Sequence, residues 1–347
     1  MTRSTRSSTG SGLRTRTTSA TLALVAGLVL TACAPELPQP SPPGPPAVPP
    51  TVVTLEQSTR ILGEVGETLA TADASRRPED LSPRVSGPAL AARRAEYAVA
   101  RAAGNAEAVT ALPTEPQTLV VARTTDWPRT QIVVTQQPDD LTSPRLLVLR
   151  QESPRSPYSL WGWARLLPGV TMPATASPET GSEPVEPDAT TLVASPADVV
   201  TQYADVLGNG AASAFAASFA TPDPYRQQIE AGRARNQGIA AEGSGTFTET
   251  YAAVPDQVVA LATEDGGAIV VGGMTTASTL TISGASLTVP PDFAAVSSGK
   301  LAPNAVLRNS LSVNYTDVVA FYVPPAGADA PIQVLGGEHT FTSASGS

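Results

Sequence analysis

The sequence predicts an α+β protein of two tandem, similar domains, each with N-terminal helices packed on a curved antiparallel sheet. Two blocks of chain each begin with apolar residues at helical spacing and continue into alternating or fully apolar β-like runs. Between them lies a proline- and acid-rich stretch without a hydrophobic period. Landmarks of the first block recur in the second at a near-constant offset. Leu69 and Leu207 are 138 apart, as are Val120 and Val258, while Ile132 precedes Ile269 by 137.

The chain opens with 19 residues that carry Arg3, Arg6, Arg14 and Arg16 and no acid, followed by the apolar run Ala20 to Leu30. A basic end before a short apolar stretch is the layout of a secretory signal peptide, here residues 1–32. A membrane span needs about 20 apolar residues, and this run is roughly half as long. The run ends in Leu30-Thr31-Ala32-Cys33, which resembles the lipobox of bacterial lipoproteins at all four positions. That resemblance implies a diacylglycerol on the Cys33 sulfur and cleavage before it, so that the protein is anchored to the membrane on its extracytoplasmic face. Two or more acyl chains hold stably where one is marginal. Cys33 is the only cysteine, so no disulfide is expected and both domains must rest on hydrophobic cores.

Residues 33–52 follow as a tether, with nine prolines between Ala34 and Pro50. Proline fixes φ and lacks an N–H, so this stretch is expected to be extended and unpacked. At about 3.1 Å per residue it would hold the remainder roughly 50 Å from the lipid.

The first domain, 53–172, begins with Leu55, Ile61, Leu62, Val65 and Leu69 at helical spacing. A second helix over "PALAARRAEYAVARAA" starts at Pro88, a favoured first helical residue. The runs "TLVVAR", "TQIVVTQ", "RLLVLRQ" and "YSLWGWARLL" then predict a four-stranded meander, with Pro138-Asp139-Asp140 as one turn. Residues 173–192 are expected to be an interdomain linker. The second domain, 193–347, repeats the order, with Ser195 as N-cap of its first helix and a helix over "DPYRQQIEAGRARNQG". Here "LWGWAR" from Leu160 corresponds to "VLGGEH" from Val334, so about 37 extra residues are expected within 275–309. Gly162 and Gly336, matched by the repeat, are candidate bulges that bend the sheet.

Helices followed by such a sheet resemble the cone-shaped NTF2-like roll. From residue 30 onward the chain is also similar to uncharacterised actinobacterial lipoproteins that carry "GPALAARRAEYAVA", "QTLVVARTTDWPRTQIVVT", "PRLLVLRQESPRSPYSLWGWARLLPG" and "NYTDVVAFYVPPAG". That likeness implies no activity and transfers no catalytic residue.

The 22 basic and 31 acidic residues leave 18 against 31, a net charge of −13, once the four leader arginines are removed. Such a surface argues against nucleic acid as a partner and against direct binding to anionic lipid. With one histidine, His339, and no free thiol, zinc is not expected, and no calcium-loop spacing of oxygens occurs. No metal or cofactor is therefore expected. His339 would have to be the base of a Ser-His-Asp hydrolase, but "EGSGT" around Ser244 lacks the Gly-x-Ser-x-Gly elbow, and "GNGAASAF" lacks the Lys of a phosphate loop. The aromatic candidates remain. Trp161 and Trp163, two apart on one strand, with Trp127 in the preceding turn and Arg165 beside them, could line a ligand cleft, with Arg123 as a further polar contact; as core fillers they would be buried. The expectation is a non-enzymatic module at the cell envelope that binds a protein or small ligand. A structural envelope protein and an unrecognised hydrolase follow as alternatives.

Overall fold

The computed structural model describes residues 48–137 and 142–347; Cys33, the leader, most of the tether and the Pro138–Asp140 turn lie outside them. The helices form where the periodicity placed them. α1 (Leu55–Ser75) starts at a capping box, in which Thr54 accepts from the Gln57 N–H and the Gln57 side chain accepts from the Thr54 N–H. It buries Ile61, Leu62, Val65 and Leu69. α2 (Gly87–Ala103) ends at Gly104, whose positive φ closes the last turn. In the second half α3 (Pro196–Asn209) is capped by Ser195 and α4 (Pro224–Glu242) by Asp223, each accepting an N–H three residues on.

After α2 come β1 (Pro116–Val121), β2 (Arg129–Thr135), β3 (Arg145–Gln151) and β4 (Ser159–Leu166). After α4 come β5 (Thr246–Ala262), β6 (Ala268–Thr281), the short pair β7 (Leu287–Thr288) and β8 (Val306–Leu307) around α5 (Pro291–Ala295), then β9 (Ser310–Val323) and β10 (Gln333–Gly346). Val258 falls in β5 as Val120 does in β1, and Ile269 in β6 as Ile132 does in β2. The extra residues of the second half hold the end of β6, β7, α5 and β8.

The expectation of a separate sheet for each half is corrected. All eight long strands form one strongly curled antiparallel sheet in the order β1-β2-β3-β4-β10-β9-β6-β5. β4 and β10 join the halves through two residue pairs only, Leu166 with Gly336 and Arg165 with Gly337. Close approach explains the glycines there: a Cβ on Gly336 would lie 2.6 Å from the Arg165 carbonyl oxygen, and one on Gly337 2.4 Å from the Tyr225 ring of α4. The register shifts beside Gly336 and beside Gly162, the two positions read as bulges.

Alternation along the second-half strands shows how the layers stack. Ile269 and Val271 of β6, with Val318 and Ala320 of β9, join the core of α1, α2 and β1–β4. Val270 and Met274, with Val319 and Phe321, face α3 and α4. A third cluster packs Ala95 and Val99 of α2 against Val289, Ala294 and Leu301 around α5, so the first half's helix is covered by the second half's insertion.

The 173–192 stretch is not a free linker. Its segment 182–185 runs between the two edge strands of the sheet. Ser182 N–H donates to the Val121 carbonyl (2.8 Å) and the Ser182 carbonyl accepts from Arg123 N–H (2.9 Å). The Glu183 carbonyl accepts from Ala262 N–H (2.8 Å), and Val185 N–H donates to the Ala260 carbonyl (3.0 Å). Unpaired edge groups need partners, and this strap supplies them on both sides. The tether boundary also moves: Val52 N–H donates to the Ala122 carbonyl (2.9 Å), and Val52 and Val53 are buried.

Candidate functional site

The structure does not bring Trp127, Trp161, Trp163 and Arg165 into one cleft. Strand β4 turns Trp163 into the core, 1 % exposed, where the Arg93 guanidinium lies 5.4 Å from its ring centre. Trp161 is 4 % exposed with Arg150 5.7 Å above it. Both are core residues capped by a cation. Trp127 lies in the β1–β2 connection and Arg165 at the far end of β4, so the first meander separates them.

Trp127 is 38 % exposed and stacks against Arg129 at 4.1 Å. It edges an open groove of about 530 Å³, whose other walls include Asp126, Arg150, Asp256, Val258, the strap residue Glu183 and Glu186 just beyond it. Three pieces of chain build the groove. The β1–β2 turn projects Trp127, the strap crosses opposite it, and β5 bulges outward at 254–257, where Asp256 takes a positive φ of 61°. Arg123 pairs with Glu183, which ties the strap to the end of β1 and leaves an acidic rim beside an exposed indole. A groove of this size, with one aromatic wall and a largely acidic rim, suits a ligand or a protruding side chain.

At the other end of β4 lies a polar cluster that sequence spacing did not reveal. Arg93 is fully buried, with Nη1 2.7 Å from Glu96 and Nε 3.6 Å from Asp73, to which the Tyr97 hydroxyl donates. Arg145 of β3 lies 3.7 Å from Glu338 of β10, an ion pair across the seam of the halves. Burial raises the Glu338 carboxyl above its ordinary range, and Arg145 offsets this in part. Burial likewise lowers the Arg145 pKa.

His339 stands in β10, as expected, and its Nδ1 is hydrogen-bonded to Asp317 of β9, directly across the ladder. Asp317 is 1 % exposed and also accepts from Thr276 Oγ1 (2.7 Å). The imidazole stacks on Tyr315 with centroids 4.1 Å apart. Among the described residues no serine or cysteine nucleophile is hydrogen-bonded to the ring, and no three His, Cys, Asp or Glu residues are grouped so as to hold a metal. The Asp317 partner was invisible in sequence because the pair depends on β9–β10 register.

These features define the class: an α+β protein in which one curled antiparallel sheet, covered by helix pairs and strapped between its edges, carries a tryptophan-edged groove. Over residues 49–346 the chain matches a family model described as Domain of unknown function (DUF8094), and it belongs to that family. No curated protein and no solved structure matches it.

Proposed function

We propose that this is an exported lipoprotein, acylated at Cys33 on the extracytoplasmic face of the membrane, and that it is a non-catalytic binding module of the cell envelope. The lipobox after an apolar run supports the anchor, and the proline-rich stretch supports a spacer between lipid and folded body. The binding reading rests on Trp127. A tryptophan 38 % exposed at the edge of a groove keeps more than a third of its surface in water after folding, and docking a partner would bury it. We also read the two halves as diverged copies of one helix–helix–four-strand unit of NTF2-like order, on the strength of the matched landmarks and the mirrored strand order.

The test is crosslinking and recovery from native membranes with wild type, Trp127→Ala and Cys33→Ala. Wild type is expected to retain a saturable ligand or partner that Trp127→Ala loses at unchanged Tm, and Cys33→Ala is expected to leave the membrane fraction. A partner held equally by Trp127→Ala would remove the groove from the account. A Cys33→Ala form still fixed to the membrane would remove the anchor.

A further inference from the structure

We propose that the small cavity between the end of β4 and α4 is a carboxylate-binding site, in which Arg165 and His339 recognise the two oxygens. The site is independent of the Trp127 groove, and neither reading requires the other. The cavity measures about 50 Å³ and is lined by Arg165, Leu167, Tyr225, Gln228, Glu338 and His339, with Gly337 forming part of its wall.

Charge is the first reason. Arg145 and Arg165 stand directly opposite each other on β3 and β4, and like charges in that position repel. The one carboxylate ion-paired with either of them is Glu338, on Arg145, and burial works against its ionisation. Arg165 forms no ion pair among the described residues. Glu338 lines the same cavity but is engaged by Arg145, so Arg165 is the guanidinium left without an ion pair there. An anion beside Arg165 would supply that partner.

Preorganisation is the second. The Asp317 bond engages Nδ1 of His339, and the Tyr315 stack fixes the ring plane, which leaves Nε2 as the nitrogen available to a ligand. A need to satisfy buried Asp317 explains the His339–Asp317 bond, but it does not explain why Arg165 and Gln228 line the same cavity.

Shape selects the anion. The cavity offers about 50 Å³ to the centres of water-sized groups, where one water needs about 10–15 Å³, so it holds a few oxygen-sized groups. A planar carboxylate fits this, and it matches the flat fork of a guanidinium. A tetrahedral phosphate matches that flat fork less well, and on the Gly337 side even a Cβ would meet the Tyr225 ring at 2.4 Å.

His339 is the only histidine of the chain, so its imidazole signals report this site alone. The purified full-length protein in detergent is titrated with sodium acetate, sodium phosphate or sodium chloride at matched ionic strength and pH, and the imidazole resonances are followed by NMR. Acetate is expected to shift them saturably, phosphate and chloride weakly and without saturation. Arg165→Ala is expected to weaken acetate by about tenfold or more, and Arg165→Lys to restore part of it, since charge returns without the fork. Arg165 is exposed, so both variants are expected to keep the wild-type Tm. A saturable shift with phosphate but not acetate would overturn the carboxylate assignment. Shifts that are linear in all three salts, or unchanged in Arg165→Ala, would overturn the site.

Discussion

Trp127 and Trp163 differ only in surroundings, and that difference separates a candidate contact residue from a core residue. Trp163 shares its strand face with residues packed against α2, and the buried Arg93 sits over its ring. Trp127 ends in a turn with one ring face on Arg129. Glu338 shows what burial does to a charge. Its pKa is raised, so the native state binds the proton more tightly than the unfolded chain does. The stability this confers is full below the ordinary glutamate value, roughly 4.3, and is lost as pH rises through the higher native value. Glu338→Gln should therefore match wild type in acid and gain on it as pH rises past the ordinary glutamate value, as read by thermal unfolding across a pH series. A difference in Tm independent of pH would mean that burial of the Glu338 carboxyl is not what shifts it.

At the scale of elements, the strap 182–185 carries the largest correction and a direct prediction. Four backbone hydrogen bonds tie it to the ends of β1 and β5, each worth about 0.5–1.5 kcal/mol net. Replacing both Ser182 and Val185 with proline, which removes the N–H donors to Val121 and Ala260, should cost about 1–3 kcal/mol in urea unfolding. An unchanged midpoint would restore the free linker. The helices and strands themselves were legible because their apolar residues recur at 3.6 or 2, and the cap Ser195 and the first-turn Pro88 mark starts. The strap was not legible. Its prolines and acids read as linker chemistry, and its role comes from unpaired edge groups that only the assembled sheet presents. The same reason hid Asp317 from His339 and Arg145 from Glu338, since each pair joins different strands. Of the expected cleft, Trp127 retained an exposed place, whereas Trp161 and Trp163 went to the core.

For the whole molecule, the first-half core includes Ile269, Val271, Val318 and Ala320 of the second half, and α2 is covered by the α5 insertion. The first half does not close its own core, whereas the α3–α4 cluster is built from the second half. The sheet is continuous through β4 and β10, the strap joins its edges, and the described residues form one compact unit. Both the groove and the small cavity draw walls from each half, so the sites depend on this unity. Differential scanning calorimetry of the full-length protein in detergent tests it most directly. A single transition, with calorimetric enthalpy equal to the van't Hoff value, is the predicted result. Two resolved transitions, each abolished by a core substitution in one half alone, such as Leu147→Ala or Phe321→Ala, would contradict it.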